Sequence, residues 1–133
     1  MEKTYLIDTN VVIYYSQDKI PAEHVSKVDK IFKDSLNISS ATKVEVLGFH
    51  RITLAEKLKL ETLLENALVL HTNNEIVEKA IEMGQKNGLK LGDSIIAATA
   101  LVYNLTLVTR NQVDFQKVKD LNLYNPFKKI SDE

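Results

Sequence analysis

The sequence predicts an α/β sandwich built around a parallel β-sheet. Short apolar segments that suit buried strands alternate with longer segments in which apolar residues have a helical spacing. The two Pro and four Gly residues are spread along the chain, so no linker or low-complexity tract divides it, and it contains no internal repeat. We therefore expect a single domain over residues 1–133, with one sizeable core.

Five apolar segments are the candidate strands. They are Tyr5–Ile7, residues 36–38, ALVL at 67–70, LTLVTRN from residue 105, and LNLY at 121–124. Polar residues follow the first four: Asp8, Thr9 and Asn10, then Ser39 and Ser40, then His71 and Thr72, and last Thr109, Arg110 and Asn111. Ligands of parallel sheets bind beyond the carboxyl ends of the strands, so this polar edge is the predicted site.

Capping residues and apolar spacing predict the helices between these strands. Thr9 or Asn10 is expected to cap a first helical segment over residues 11–15. Thr53 followed by Glu56 has the form of a capping box, and the Asn-Gly pair at 87–88 signals a helix end. The remaining helices are expected to begin at Pro21, to contain Val44, Leu47 and Gly48, and to span the Ala-rich residues 91–103.

Composition excludes some kinds of site and leaves others open. The chain has no cysteine, which excludes disulfides, thiolate zinc sites and cysteine nucleophiles. Its formal net charge of -1 gives no overall basic footprint for nucleic acid, although a bound metal could supply positive charge locally. Asp8 interrupts the first apolar stretch, which argues against a signal peptide, and no apolar segment is long enough to span a bilayer. We therefore expect a cytoplasmic protein.

Four carboxylates stand near the predicted polar edge. Asp8 ends the first strand, Glu45 lies one turn into the helix after SSAT, Asp93 begins a largely apolar helix, and Asp114 follows the fourth strand. Each has a structural explanation when taken alone. Asp8 or Asp114 could cap a helix or turn, Asp93 could interact with a helix dipole, and Glu45 could be solvated.

Taken together, these carboxylates predict a metal site. Carboxylates that converge at one end of a sheet repel each other, which raises their pKa values and destabilises the fold. A hard divalent cation relieves the repulsion, and Mg²⁺ and Mn²⁺ prefer oxygen ligands. Because a bound metal activates water and stabilises charge on phosphoryl oxygens, the pattern favours metal-assisted phosphodiester hydrolysis.

Three segments resemble the signature blocks of the PIN domain. They are LIDTNVVI at 6–13, SSATKVEVLG at 39–48 and LGDSIIAATALVYNLTLVTRNQVDF at 91–115, in the family's order and spacing. Within that superfamily the chain is most similar to VapC-type toxins of toxin–antitoxin pairs. The resemblance implies a three-layer sandwich, with a parallel sheet of four to five strands between helices. It also implies a Mg²⁺- or Mn²⁺-dependent endoribonuclease that acts on RNA, pairs with an antitoxin protein and forms a homodimer.

The resemblance assigns roles residue by residue. Asp8, Glu45 and Asp93 match the family's acidic residues and are the expected metal ligands and catalytic groups. Many members carry a fourth acid where this chain has Asn111, and Asp114 is the alternative fourth catalytic carboxylate. The expected supporting residues are Thr9, Asn10, Ser40, Thr109 and Asn111.

Two questions stay open at the level of sequence. Asn111 in place of an acid leaves a catalytically weakened RNA- or protein-binding module as the alternative function, and it leaves open whether one metal or two would bind. Arg110 and Lys43 are candidate phosphate contacts, for which surface solvation is the alternative explanation. A phosphoacceptor receiver domain is disfavoured. Such a domain needs an aspartate at the end of its third strand, whereas the third predicted strand of this chain is followed by His71 and Thr72.

Overall fold

A five-stranded parallel sheet forms the centre of the molecule, in the order β3-β2-β1-β4-β5. The structure is a computed structural model, and it describes residues 4–130. All four strand pairings are parallel, as the alternation of strands and helices predicts. The strands are β1 Tyr5–Ile7, β2 Asn37–Ser39, β3 Leu68–Leu70, β4 Thr106–Val108 and β5 Leu123–Tyr124.

Helices connect the strands and complete a three-layer α/β fold. Among the described residues they are α1 Thr9–Ser16, α2 Ala22–Asp34, α3 Ser40–Leu47, α4 Leu54–Leu64, α5 Asn74–Asn87, α6 Leu91–Val102 and α7 Gln112–Phe115. The capping box of Thr53 and Glu56 is confirmed at the start of α4. Gly88 ends α5 with a left-handed φ of 65°, a conformation that glycine adopts without steric cost.

Successive residues of the central strands divide the core into two clusters. Leu6 and Leu107 point to one face of the sheet and pack with α5 and α6, whereas Ile7 and Val108 point to the other face. That second cluster includes side chains of α1, α2 and α4. Apolar residues at consecutive positions of β1 and β4 are thus explained by a sheet that is covered on both sides.

Helix α6 is almost wholly buried, and its small side chains explain how. Ala97, Ala98 and Ala100 have no exposed surface, and the helix packs chiefly against α5. Small side chains let the two helix backbones approach closely, so α6 lies flat against its neighbours. This packing fixes the amino end of α6, and therefore Asp93, near the carboxyl ends of the strands.

The structure corrects the sequence prediction at element boundaries. Asp8, rather than Thr9 or Asn10, caps α1, because its backbone is extended at the end of β1 and its side chain accepts the Thr9 N–H. Strand β2 lies one residue later than predicted, and Pro21 is the cap of α2 rather than its first residue. The four-residue helix α7 was not predicted. Over residues 4–130, none of the helices has the length and apolar character needed to cross a membrane.

Candidate functional site

The register between β1 and β4 creates the centre of the polar edge. Ile7 pairs with Val108, so the residues that follow them, Asp8 and Thr109, are neighbours. The Asp8 N–H donates to the Val108 carbonyl at 2.9 Å, and the Thr109 hydroxyl donates to Asp8 Oδ2 at 2.7 Å. The parallel pairing of two strands that are distant in sequence therefore places a hydroxyl donor against a carboxylate.

Asp8 is a buried carboxylate held at both oxygens. It is 5% exposed, its Oδ2 accepts from Thr109, and its Oδ1 accepts the Thr9 N–H at 2.8 Å. Burial raises the pKa of Asp8 to about 6; the hydrogen bonds from Thr109 and Thr9 oppose this rise, and the charges of Asp93 and Glu45 add to it. Asp8 is thus a strained anion that a cation would stabilise.

Glu45 reaches the same edge from the first turns of α3. Ser39 caps this helix by accepting the Thr42 N–H, which orients the turn that carries Glu45. The Thr9 hydroxyl donates to Glu45 Oε1 at 2.6 Å and lies 3.2 Å from the Thr42 hydroxyl. Thr9 therefore links Glu45 to Asp8, since its N–H bonds one carboxylate and its hydroxyl bonds the other.

Gly92 allows α6 to approach Glu45 closely. A Cβ atom at this position would lie 2.8 Å from Glu45 Oε2, so a larger residue would displace the carboxylate. Asp93, the next residue, is half-buried, and burial is the largest cause of its raised pKa. The charges of Glu45 and Asp114 add to this rise, and Lys90 opposes it. Four carboxylates therefore share one electrostatic environment.

Asn111 and Asp114, the two candidates for the fourth acidic position of the site, are joined by a hydrogen bond. The Asn111 side-chain amide donates to Asp114 Oδ2 at 3.1 Å, and its backbone N–H donates to the Thr109 hydroxyl at 2.9 Å. Asp114 supplies the charge that acts on Asp93. Asn111 therefore links Asp114 to Thr109, and the amide and the carboxylate lie in the same part of the site.

Other predicted supporting residues lie apart from this cluster. The Ser40 hydroxyl accepts the Thr72 N–H at 3.0 Å and lies 3.0 Å from its hydroxyl, so it joins the ends of β2 and β3. Asn10 is exposed on the first turn of α1. Sequence reasoning missed Thr42 and Gly92. The distance of three residues from Ser39 to Thr42 is a capping signal, whereas nothing local marks the close approach at Gly92.

The donor set suits a hydrated hard cation. Within residues 4–130, no three His, Cys, Asp or Glu side chains are arranged to hold one metal ion between them. Mg²⁺ nevertheless keeps several of its waters in proteins and is commonly bound through only one or two carboxylates. Burial and then the neighbouring carboxylates raise the pKa values of Asp8 and Asp93, and these carboxylates offer oxygen ligands to a cation.

Known proteins resemble this chain in sequence and in fold. Ribonuclease VapC1 of Haemophilus influenzae strain R2866 is 33% identical over 127 residues, which cover 88% of this chain and 93% of that protein. A toxin–antitoxin complex from Klebsiella pneumoniae contains a chain with a TM-score of 0.77 and 25% identity, covering 95% of this chain and 100% of the other. A chain of VapBC-1 from nontypeable Haemophilus influenzae has a TM-score of 0.76 and 27% identity, covering 94% of this chain and 99% of the other.

The family itself is identified over most of the chain. The family model described as PIN domain matches residues 5–121, a range that contains strands β1 to β4 and ends before β5. Asp8, Glu45, Asp93 and Asp114 all lie within the matched range. The central parallel sheet with helices on both faces fits the same fold. The chain therefore belongs to the PIN domain family.

Proposed function

We propose that this protein is a metal-dependent endoribonuclease and the toxin of a toxin–antitoxin pair. The observation that carries the proposal is the convergence of Asp8, Glu45 and Asp93 at the carboxyl edge of the sheet, where burial and mutual repulsion raise the pKa of both aspartates. Relatives named as ribonucleases support an action on RNA. Chains in toxin–antitoxin complexes that share the fold support the biological role.

Asp8 and Asp93 are the proposed ligands of Mg²⁺ or Mn²⁺, with Glu45 contributing directly or through water. When bound, such a cation lowers the pKa of water and stabilises negative charge on a phosphoryl oxygen. Thr109 and the Thr9 N–H hold the Asp8 carboxylate in one orientation, and the Thr9 hydroxyl does the same for Glu45. The chain thereby provides fixed oxygen donors, which need little rearrangement to take up a cation.

Asp114 is the proposed group that orients the attacking water and accepts its proton. Asn111 holds one of its oxygens through the 3.1 Å hydrogen bond, so the amide acts as a positioning residue. Asp114 also adds negative charge near Asp93 without being buried itself. In this proposal the asparagine at the family's acidic position does not abolish catalysis, because the charge is supplied three residues later.

The purified protein is expected to cleave single-stranded RNA with Mg²⁺ or Mn²⁺ and to lose this activity in EDTA. Asp8→Asn and Asp93→Asn should each lower the cleavage rate about 100-fold or more, because each removes a metal-binding charge. Cleavage is measured on several labelled RNAs by gel electrophoresis. Asp34→Asn is the matched control, since it removes the same charge from an exposed position at the end of α2.

Two results would contradict the proposed function. Equal cleavage by the unmodified protein and by the Asp8→Asn and Asp93→Asn variants would exclude a role for the metal site. Absence of cleavage on every RNA, with the unmodified protein folded and loaded with Mn²⁺, would favour the alternative of a PIN-like module that only binds RNA or protein.

Replacing Thr109 should separate the positioning of Asp8 from its charge. Thr109→Val removes the hydroxyl that donates to Asp8 Oδ2 and accepts from the Asn111 N–H, whereas Thr109→Ser keeps it. We expect Thr109→Val to weaken activity or metal affinity by about 10- to 100-fold, as is typical of residues that orient metal ligands. Activity is followed as a function of Mn²⁺ concentration. Loss of activity in Thr109→Ser equal to that in Thr109→Val would argue against the hydroxyl.

The stability of the metal-free protein should decrease as pH rises through the window set by Asp8. The pKa of Asp8 is about 6 in the folded protein, above the ordinary value of 3.8. At pH values between these two, the folded state therefore binds more protons than the unfolded state. From about pH 4 to about pH 7 this group alone removes up to about 3 kcal/mol of stability.

Urea unfolding in EDTA at several pH values measures this effect against Asp8→Asn. The free energy of unfolding of the unmodified protein should fall relative to that of Asp8→Asn as pH rises. Addition of Mg²⁺ at neutral pH should raise the stability of the unmodified protein, because the ion binds only its folded state. Parallel pH profiles of the free energy of unfolding in the two proteins would contradict a raised pKa of Asp8 in the folded state.

A groove between α1, α2 and α4 is the proposed docking surface for the antitoxin. It has a volume of about 550 Å³ and is lined by apolar side chains that include Tyr15, Ile20, Val25 and Leu63. Asp18, Asp29 and Lys59 also line it, so apolar and charged side chains both face the groove. Such a surface suits the apolar face of an amphipathic helix.

Val25→Asp should abolish binding of the antitoxin, because it places an unpaired charge in the apolar groove. Val77→Asp is the matched control on α5, since the two valines are 38% and 42% exposed and both changes should leave the fold intact. The tagged protein is expressed together with its flanking genomic sequence, and a small protein should copurify with it at constant ratio. Equal retention or equal loss of this protein in both variants would contradict the assignment of the groove.

A further inference from the structure

The Arg110 side chain lies against two aromatic rings at the end of β4. Its guanidinium carbon is 5.3 Å from the centroid of Tyr14 and 4.8 Å from that of Phe127. The two rings meet edge to face, with centroids 5.3 Å apart, so Arg110 and the rings form one compact group. We call this group of three side chains the aromatic cage. Cation–π contacts of this kind hold a guanidinium in a defined plane.

The walls of the aromatic cage are fixed by other parts of the fold. Tyr14 belongs to α1, the helix that Asp8 caps. The Phe127 N–H donates to Asn125 Oδ1 at 2.9 Å, which closes a turn at the carboxyl end of the described chain. Nε2 of the buried His24 lies 2.6 Å from the Lys128 carbonyl and anchors that turn to α2. The position of Arg110 is therefore set before any ligand binds.

The charge of Arg110 remains available for a ligand. Arg110 is exposed, and its side chain forms no salt bridge with any carboxylate of the described part of the chain. A guanidinium has five N–H donors, and a cation–π contact uses none of them as a hydrogen-bond donor. Apolar packing alone would not require a guanidinium here, whereas a ligand with paired acceptor oxygens would make use of its fork of donors.

Arg110 adjoins the carboxylate cluster along the chain. It directly follows Thr109, whose hydroxyl donates to Asp8. Tyr14, one wall of the aromatic cage, is six residues after Asp8, which corresponds to about 9 Å along α1. The carboxylates repel a polyanionic substrate, so a fixed cation on the residue that follows Thr109 offers a neighbouring phosphate a favourable position.

We propose that Arg110 binds a backbone phosphate of the RNA substrate beside the scissile bond, in an orientation preset by Tyr14 and Phe127. This inference rests on the proposed ribonuclease function and assigns a substrate-binding residue to the same site. Phosphate contacts place a nucleic acid in register without reading its sequence. Arg110 therefore contributes to the binding of every RNA substrate, whatever the identity of its bases.

The test compares variants of Arg110 with a matched change elsewhere. The chain contains two arginines, and Arg51, exposed in the connection between α3 and α4, provides the control Arg51→Ala. We expect Arg110→Ala to raise KM about tenfold or more, with kcat changed less than about twofold, because a charge-assisted contact to phosphate is lost. The KM of Arg110→Lys should lie between the values of the unmodified protein and of Arg110→Ala, because lysine keeps the charge but lacks the planar fork of donors. Phe127→Leu should raise KM less than Arg110→Ala does.

A binding measurement separates this inference from the proposed function. In an Asp93→Asn background, which prevents cleavage, anisotropy of a fluorescent single-stranded RNA gives Kd at several salt concentrations. Arg110→Ala should weaken binding and reduce the slope of log Kd against log salt by about 0.7, the value for one phosphate contact on a single strand. Arg51→Ala should change neither quantity, and thermal unfolding confirms that each variant is folded.

Each outcome has a distinct meaning. If the unmodified protein cleaves RNA and Arg110→Ala keeps its KM and salt slope, the inference is wrong and the proposed function stands. An effect of Arg51→Ala equal to that of Arg110→Ala would show general charge attraction and overturn the assignment. A loss confined to kcat would place Arg110 in the chemical step instead of in substrate binding. If the unmodified protein neither cleaves nor binds RNA, the proposed function and this inference both fail.

Discussion

The buried carboxylate of Asp8 is the constraint on which the polar edge of the sheet depends. A carboxylate that is 5% exposed is costly to ionise, and within residues 4–130 two donors, the Thr109 hydroxyl and the Thr9 N–H, offset that cost. One donor comes from the neighbouring strand and the other from the helix that Asp8 itself caps. The pairing of β1 with β4 and the start of α1 are therefore both coupled to the position of one side chain.

The other carboxylates increase this cost rather than relieve it. Glu45 and Asp93 both raise the pKa of Asp8, and Gly92 lets α6 bring Asp93 close to Glu45. A sequence selected only for stability would separate like charges or pair them with lysine. Their concentration at one edge is instead the pattern expected where a cation and a phosphodiester are bound, with stability sacrificed locally for function.

Local signals made much of the fold predictable, and contacts between distant segments account for what was missed. The capping box at Thr53 and the helix end at Gly88 depend on neighbouring residues, so the sequence alone reveals them. The prediction that the carboxylates lie near one edge of the sheet came from strand polarity and from the family resemblance. The close approach at Gly92 and the contact between Arg110 and Phe127 depend on tertiary packing, which leaves no periodic pattern in the sequence.

Helix α1 joins the parts of the molecule to which we assign different roles. Its first residue, Thr9, bonds both Asp8 and Glu45, Tyr14 forms a wall of the aromatic cage, and Tyr15 lines the apolar groove. Its eight residues span about 12 Å, so the groove and the carboxylates lie at opposite ends of one short, rigid element. A protein bound in the groove would therefore contact the same helix that carries Thr9, the residue beside the proposed metal ligands. A partner in the groove would thus lie within about 12 Å, along α1, of the proposed metal ligands.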